Sequence, residues 1–197
     1  VFSSVKLATV RRHFRWMREY GIDGVFLQRF AFSTRDPRFL KPMNQVMEYC
    51  RSSANAESRK WALMYDMSGM KPGNFHEVKD DWMRLRGDGP MKGRDPAYLQ
   101  PGGKPLVALW GMGFSDRAPA LTEWEDLLRF FHAGGCAVMV GVPCYWRTLD
   151  RDAIRDPKLH ELIAMADIVS PWAVGRFGTP EEAAKRVDSL LKPDIAW

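Results

Sequence analysis

Five short apolar runs, each separated from the next by a stretch of helical periodicity, constrain this chain more than any other feature. They occupy residues 22–27, 61–65, 106–110, 137–142 and 168–170. Runs that are mostly apolar, rather than alternating, belong to strands covered on both faces. In chains that alternate strand and helix, this means a parallel sheet packed between helices. The strands begin near residues 22, 61, 105, 137 and 167, a mean step of about 36, consistent with βα units of roughly 30 or more residues. Eight such units need about 290 residues, so a (β/α)8 barrel would be incomplete here. A five-stranded doubly wound sheet fits the length as it stands. Spacing by itself does not choose between the two.

The helices have readable limits. Val10, Phe14 and Met17 share one face of a first helix that carries Arg11, Arg12, Arg15 and Arg18 on its other faces and ends at Gly21. A second helix is expected from about Pro42 to Ser53, presenting Met43, Val46, Met47 and Cys50 on one side. Residues 75–85 read as a third, followed by loop chemistry at 87–90 and 101–103. Thr122 reads as the N-cap of a fourth helix, with Glu123 and Glu125 in its first turn and Gly134-Gly135 as its stop. Thr179-Pro180 opens the last. One domain over 1–197 is expected, with no internal boundary. The chain starts at Val1 without a methionine or a signal-peptide pattern and stops at Trp197 a few residues into helical sequence. It reads as a piece truncated at both ends.

Several chemistries are disfavoured. The three cysteines, Cys50, Cys136 and Cys144, have no C-x-x-C spacing, and the four histidines form no H-E-x-x-H, so no disulfide framework and no metal site are expected. Gly111-Met112-Gly113 lacks the third glycine and the later acid of a dinucleotide fingerprint, and neither a phosphate-binding P-loop nor a G-x-S-x-G elbow occurs. No cofactor is expected. Cys144 ends a strand without a paired histidine in view and reads as a buried, inert thiol. The net charge of +5 is spread along the chain, and the arginines of the first helix read as a solvated face, so no nucleic-acid partner is expected. No apolar run reaches the roughly 20 residues of a membrane span.

The strand ends are more informative. Arg29, Asp66, Trp110, Tyr145 with Trp146, and Trp172 with Arg176 each follow the C-terminal end of a different strand. Ligand sites of parallel α/β folds form at that edge. Eight tryptophans and 12% aromatics make large rings plentiful. Trp16, Trp61, Trp82 and Trp124 lie inside elements and are assigned to the core. Aromatic rings mixed with a few charged groups suit sugars, whose apolar faces stack on rings while their hydroxyls need directional partners. The candidate substrate-binding set is therefore Arg29, Asp66, Trp110, Tyr145, Trp172 and Arg176. The competing reading has the aromatics plugging a barrel rim and Arg29 pairing with Asp66.

Residues 13–30 (HFRWMREYGIDGVFLQRF), with Met64-Tyr65-Asp66-Met67-Ser68-Gly69 and residues 167–176 (DIVSPWAVGR), resemble the bacterial glycoside hydrolase family 71/99-like group, some of whose members are labelled xylosidase or arabinosidase. Similarity to the family 99 endo-α-mannosidases is more remote. The resemblance covers nearly the whole chain in order, and it implies a (β/α)8 barrel in which Ile22 opens the second strand and Ile168 the sixth. The first strand would then lie before Val1 and the last two beyond Trp197. It further implies a carbohydrate substrate, hydrolysis of O-glycosidic bonds and a periplasmic or secreted location. A non-catalytic carbohydrate-binding barrel is the alternative. Family 99 carries its catalytic carboxylates as Glu-x-x-Glu after the eighth strand. Nothing here matches that pair, since Glu123, Glu125, Glu181 and Glu182 all sit at helix starts. Asp66, with a turn-forming Ser68-Gly69 behind it, is expected to bind a hydroxyl or to orient a catalytic group.

Overall fold

In the computed structural model, which describes residues 3–117 and 120–197, strands and helices alternate along the chain. The order is α1 (Leu7–Glu19), β1 (Gly24–Phe30), α2 (Pro37–Glu57), β2 (Lys60–Asp66), α3 (His76–Gly87), β3 (Leu106–Trp110), α4 (Leu121–Ala133), β4 (Ala137–Val142), α5 (Lys158–Ile163), β5 (Ile168–Pro171), α6 (Pro180–Arg186) and α7 (Lys192–Ile195). The five strands form one sheet, every neighbouring pair is parallel, and the order across it is β1-β2-β3-β4-β5. A doubly wound sheet reverses about its first strand. This one never does, so the chain is an α/β protein with the consecutive order of a (β/α)8 barrel, forming an incomplete one.

Register follows from the pairing. Arg29, Tyr65, Leu109, Val140 and Val169 are aligned across the sheet on one face. That face meets the helices, as shown by the contacts of Arg29 with Asn44 of α2 and Asp81 of α3. Phe30, Asp66, Trp110, Gly141 and Ser170 are aligned one residue further on, and alternation turns them to the other face. The helix-side core is dense and apolar, built from residues such as Leu63, Val107, Leu109, Val138 and Val140, all fully buried.

Helix limits depart from expectation in physically legible ways. α2 begins at Pro37, because the Asp36 side chain accepts from Arg38 N at 2.9 Å and proline suits the first helical position. Pro42 therefore lies inside the helix, where it lacks the N–H of one ladder bond. α4 begins at Leu121 without a side-chain cap, so Thr122 is an internal residue. The carboxylate of Glu123 instead accepts from Gly73 N at 2.9 Å and Phe75 N at 3.4 Å, bracing the turn that enters α3. The Thr179 cap holds, accepting from Glu182 N at 3.2 Å. α5 has too few residues to show periodicity in sequence. Trp61, Trp82 and Trp124 are in the core, but Trp16 is 46% exposed on α1, stacked on His13 with ring centroids 5.7 Å apart.

Candidate functional site

The inward face of the sheet, at its C-terminal edge, carries the candidate site. Asp66 is the last residue of β2, and its neighbours in register are Phe30 on one side and Trp110 on the other. Its carboxylate accepts from Gln28 Nε2 at 2.6 Å and from Ser68 N at 2.8 Å. The second bond closes the short Asx-type turn that Ser68-Gly69 permits. The group is mostly buried and is aimed by partners on both sides, so its remaining lone pairs are presented in one fixed direction.

Trp110 ends β3 next to Gly141 in register, and its six-membered ring occupies the space a Cβ at 141 would need. Absence of a side chain at 141 thus lets the indole lie across β4. Trp172, just past β5, meets Trp110 edge to face with centroids 5.1 Å apart, and it is 42% exposed. On the far side of Asp66, Phe30 and Phe32 are both exposed, with centroids 5.9 Å apart, and Phe32 packs beside Gly69. A fixed carboxylate is thereby flanked by aromatic surface on either side. Such a strip suits a ligand with apolar faces and hydroxyl groups.

Of the six sequence candidates, the structure brings Asp66, Trp110 and Trp172 together. Arg29 is not with them. It is 2% exposed on the helix side, where its Nε and Nη2 donate to the two Asp81 oxygens at 2.7 and 2.8 Å, and it does not pair with Asp66. Asp81 also accepts from Tyr65 Oη at 2.8 Å and Arg84 Nη2 at 2.7 Å. An arginine in a core row is tolerable only with such a partner. Tyr145 and Arg176 join a bracket between the loops after β4 and β5. Arg176 pairs with Asp152, which also accepts from Tyr145 N at 3.1 Å. Tyr145 Oη lies 2.6 Å from Arg151 Nη1 and 2.7 Å from Arg186 Nη1, and its ring sits under the Arg151 guanidinium. These contacts hold the two loops together.

Sequence reasoning missed Gln28, Phe30 and Phe32. The signal was present: residues 26, 28 and 30 share a strand face, and Arg29 has the opposite parity. Cys144 is buried, its thiol pushed up by burial and then by the nearby Asp152 charge, as an inert thiol should be. Among the described residues, no three His, Cys, Asp or Glu side chains are grouped to hold a metal ion, and no helix is long and apolar enough to cross a membrane.

No protein-family model and no curated protein matches the chain. Among solved structures, it is similar to the GH99 endo-alpha-mannosidase from Bacteroides thetaiotaomicron, at 11% identity and a TM-score of 0.45, over 86% of this chain and 67% of that one. A structure of that organism's GH99 endo-alpha-mannosidase in complex with Bis-Tris-propane gives 12% identity and a TM-score of 0.41, over 86% and 71%.

Proposed function

We propose that the strip formed by Asp66, Trp110 and Trp172 binds a carbohydrate, and that the parent activity is glycoside hydrolysis, with Tyr145 and Arg176 supporting the rim rather than touching sugar. One observation carries the reading: a carboxylate oriented by Gln28 and Ser68 stands in register beside Trp110, whose ring meets the half-exposed Trp172. The ring faces would take the C–H faces of a pyranose, and Asp66 would accept from its hydroxyls. The sequence resemblance to the family 71/99-like group points the same way.

Glycoside hydrolysis needs two carboxyl groups about one glycosidic bond. Asp66 is the one acid among the strand-end residues of this face. By this reading, Asp66 is a sugar-contacting residue, and the acid/base pair comes from outside these 197 residues. The lone carboxylate equally suits a sugar-binding barrel without catalysis, and one experiment separates the two. Titrating the protein with α-mannosides, xylosides and arabinosides should show saturable binding that Asp66→Asn and Trp172→Ala weaken by about 10- to 100-fold, the size of a lost charged hydrogen bond. Turnover of the same panel by the full-length parent identifies the hydrolase. Unchanged binding in both variants removes the strip from sugar recognition.

A further inference from the structure

A second concave feature lies at the opposite end of the sheet, below the N-terminal ends of β2 and β3. It is a cavity of about 300 Å³, at the lower end of the roughly 300–1,000 Å³ range of small-molecule pockets. Trp61, the second residue of β2, and Tyr98 stand edge to face at its floor with centroids 4.8 Å apart. Pro90, Met91 and Pro105 add apolar wall. Around this apolar base stand four cationic side chains: Arg51 from α2, Arg86 from the end of α3, and Lys92 and Arg94 from the loop beyond it.

One acid lines the same cavity, Asp95, and it is already committed. Its Oδ1 accepts from Asn55 Nδ2 at 2.8 Å and Ala97 N at 2.9 Å, and its Oδ2 accepts from Trp61 Nε1 at 2.9 Å. It also pairs loosely with Arg51 at 3.6 Å. Lys92 pairs with Asp88, both side chains well exposed, where solvent screens most of the interaction. Arg86 and Arg94 have no ion pair among the described residues; Arg86 lies over the Trp82 ring at 5.5 Å. The cavity therefore gathers more positive charge than it neutralises, beside an apolar floor where charges interact more strongly than in bulk water. Guanidinium groups in this setting match carboxylate and phosphate oxygens in pairs.

We propose that this cavity is a binding site for a small organic anion, an oxyanion group held by Arg86 and Arg94 on a compact apolar body seated against the partly exposed Pro90 and Pro105, above Met91 and the buried Trp61–Tyr98 pair. It lies at the N-terminal end of the strands, away from the edge where barrel folds place chemistry, so its role is binding rather than catalysis. It is independent of the carbohydrate strip.

Phenyl phosphate, benzoate and inorganic phosphate, each titrated calorimetrically into the purified protein at low salt, test it. Phenyl phosphate or benzoate should bind saturably and raise the unfolding temperature. The Arg86→Gln/Arg94→Gln double variant, altered at exposed positions, should fold normally and bind about tenfold or more weaker. Arg11→Gln/Arg12→Gln removes the same charge from α1 and should bind as the parent does. Inorganic phosphate, lacking the apolar body, should bind more weakly than phenyl phosphate. Absence of saturable binding by both aromatic anions, equal losses in the two double variants, or equal affinity for the two phosphates would overturn the proposal.

Discussion

Trp110 lies over Gly141 of the neighbouring strand, so the indole fills the volume a side chain at 141 would need. The pair explains how a large ring at a strand end can lie across the sheet and still meet Trp172 edge to face.

Gly141→Ala should displace that ring. Overpacking of this kind costs about 1–3 kcal/mol, and the loss is read from urea unfolding. Carbohydrate binding should fall together with stability, because the Trp110–Trp172 surface is lost. An unchanged denaturation midpoint would mean that the ring repositions freely.

The buried Arg29–Asp81 pair predicts an asymmetric response. Asp81→Ala leaves Arg29 uncompensated in the core and should destabilise by about 3–5 kcal/mol. The Arg29→Met/Asp81→Leu double variant removes both charges and should recover part of that loss, less the roughly 1–3 kcal/mol of the buried Tyr65 hydroxyl that no longer has Asp81 to donate to. Urea unfolding of the two variants gives the comparison.

The three thiols should be silent in the folded protein. Burial, and then the Asp95 charge, pushes the Cys50 thiol up to about 12. Burial raises Cys136 and Cys144 as well. At pH 8 the reactive thiolate of Cys50 is about 10⁻⁴ of the total. A chromogenic disulfide reagent should label none of the three until guanidinium unfolds the chain, and then all three.

Asp167 ties α4 to β4, accepting from Val138 N at 2.8 Å with His132 Nε2 at 3.1 Å. Burial would raise its carboxyl, but these hydrogen bonds outweigh burial and hold it below the ordinary aspartate value. A depressed carboxyl adds stability above its unfolded pKa, and that stability is lost as pH falls through the lower folded value. Asp167→Asn should be less stable than the parent at pH 6. The difference should close as both are titrated below about pH 4, followed by thermal unfolding.

Much of the fold was legible in the residues. Continuous apolar strands at intervals near 36 residues called for a covered parallel sheet, and all five begin within two residues of their expected starts. Gly21 and Gly135 end their helices with positive φ, where a left-handed conformation is needed. The start of α2 was harder to read, because two prolines compete for the first helical position. Pro42 lies just ahead of the apolar face, while the capped one, Pro37 behind Asp36, stands five residues earlier.

The site was legible only in part, for a reason of parity. Chain order shows that Arg29 and Asp66 both come near strand ends, but a strand turns successive side chains to opposite faces. The β1–β2 register sets Phe30 beside Asp66 and Arg29 beside Tyr65, and that single step sends the arginine to Asp81 and leaves Gln28 to hold the carboxylate. The sequence by itself determined the elements, their parallel alternation and the aromatic-rich strand ends, because these arise from local patterning. Only the tertiary structure decided the consecutive strand order, the face each side chain takes and the meeting of Trp110 with Trp172, because those depend on pairings between residues about 30 to 60 positions apart.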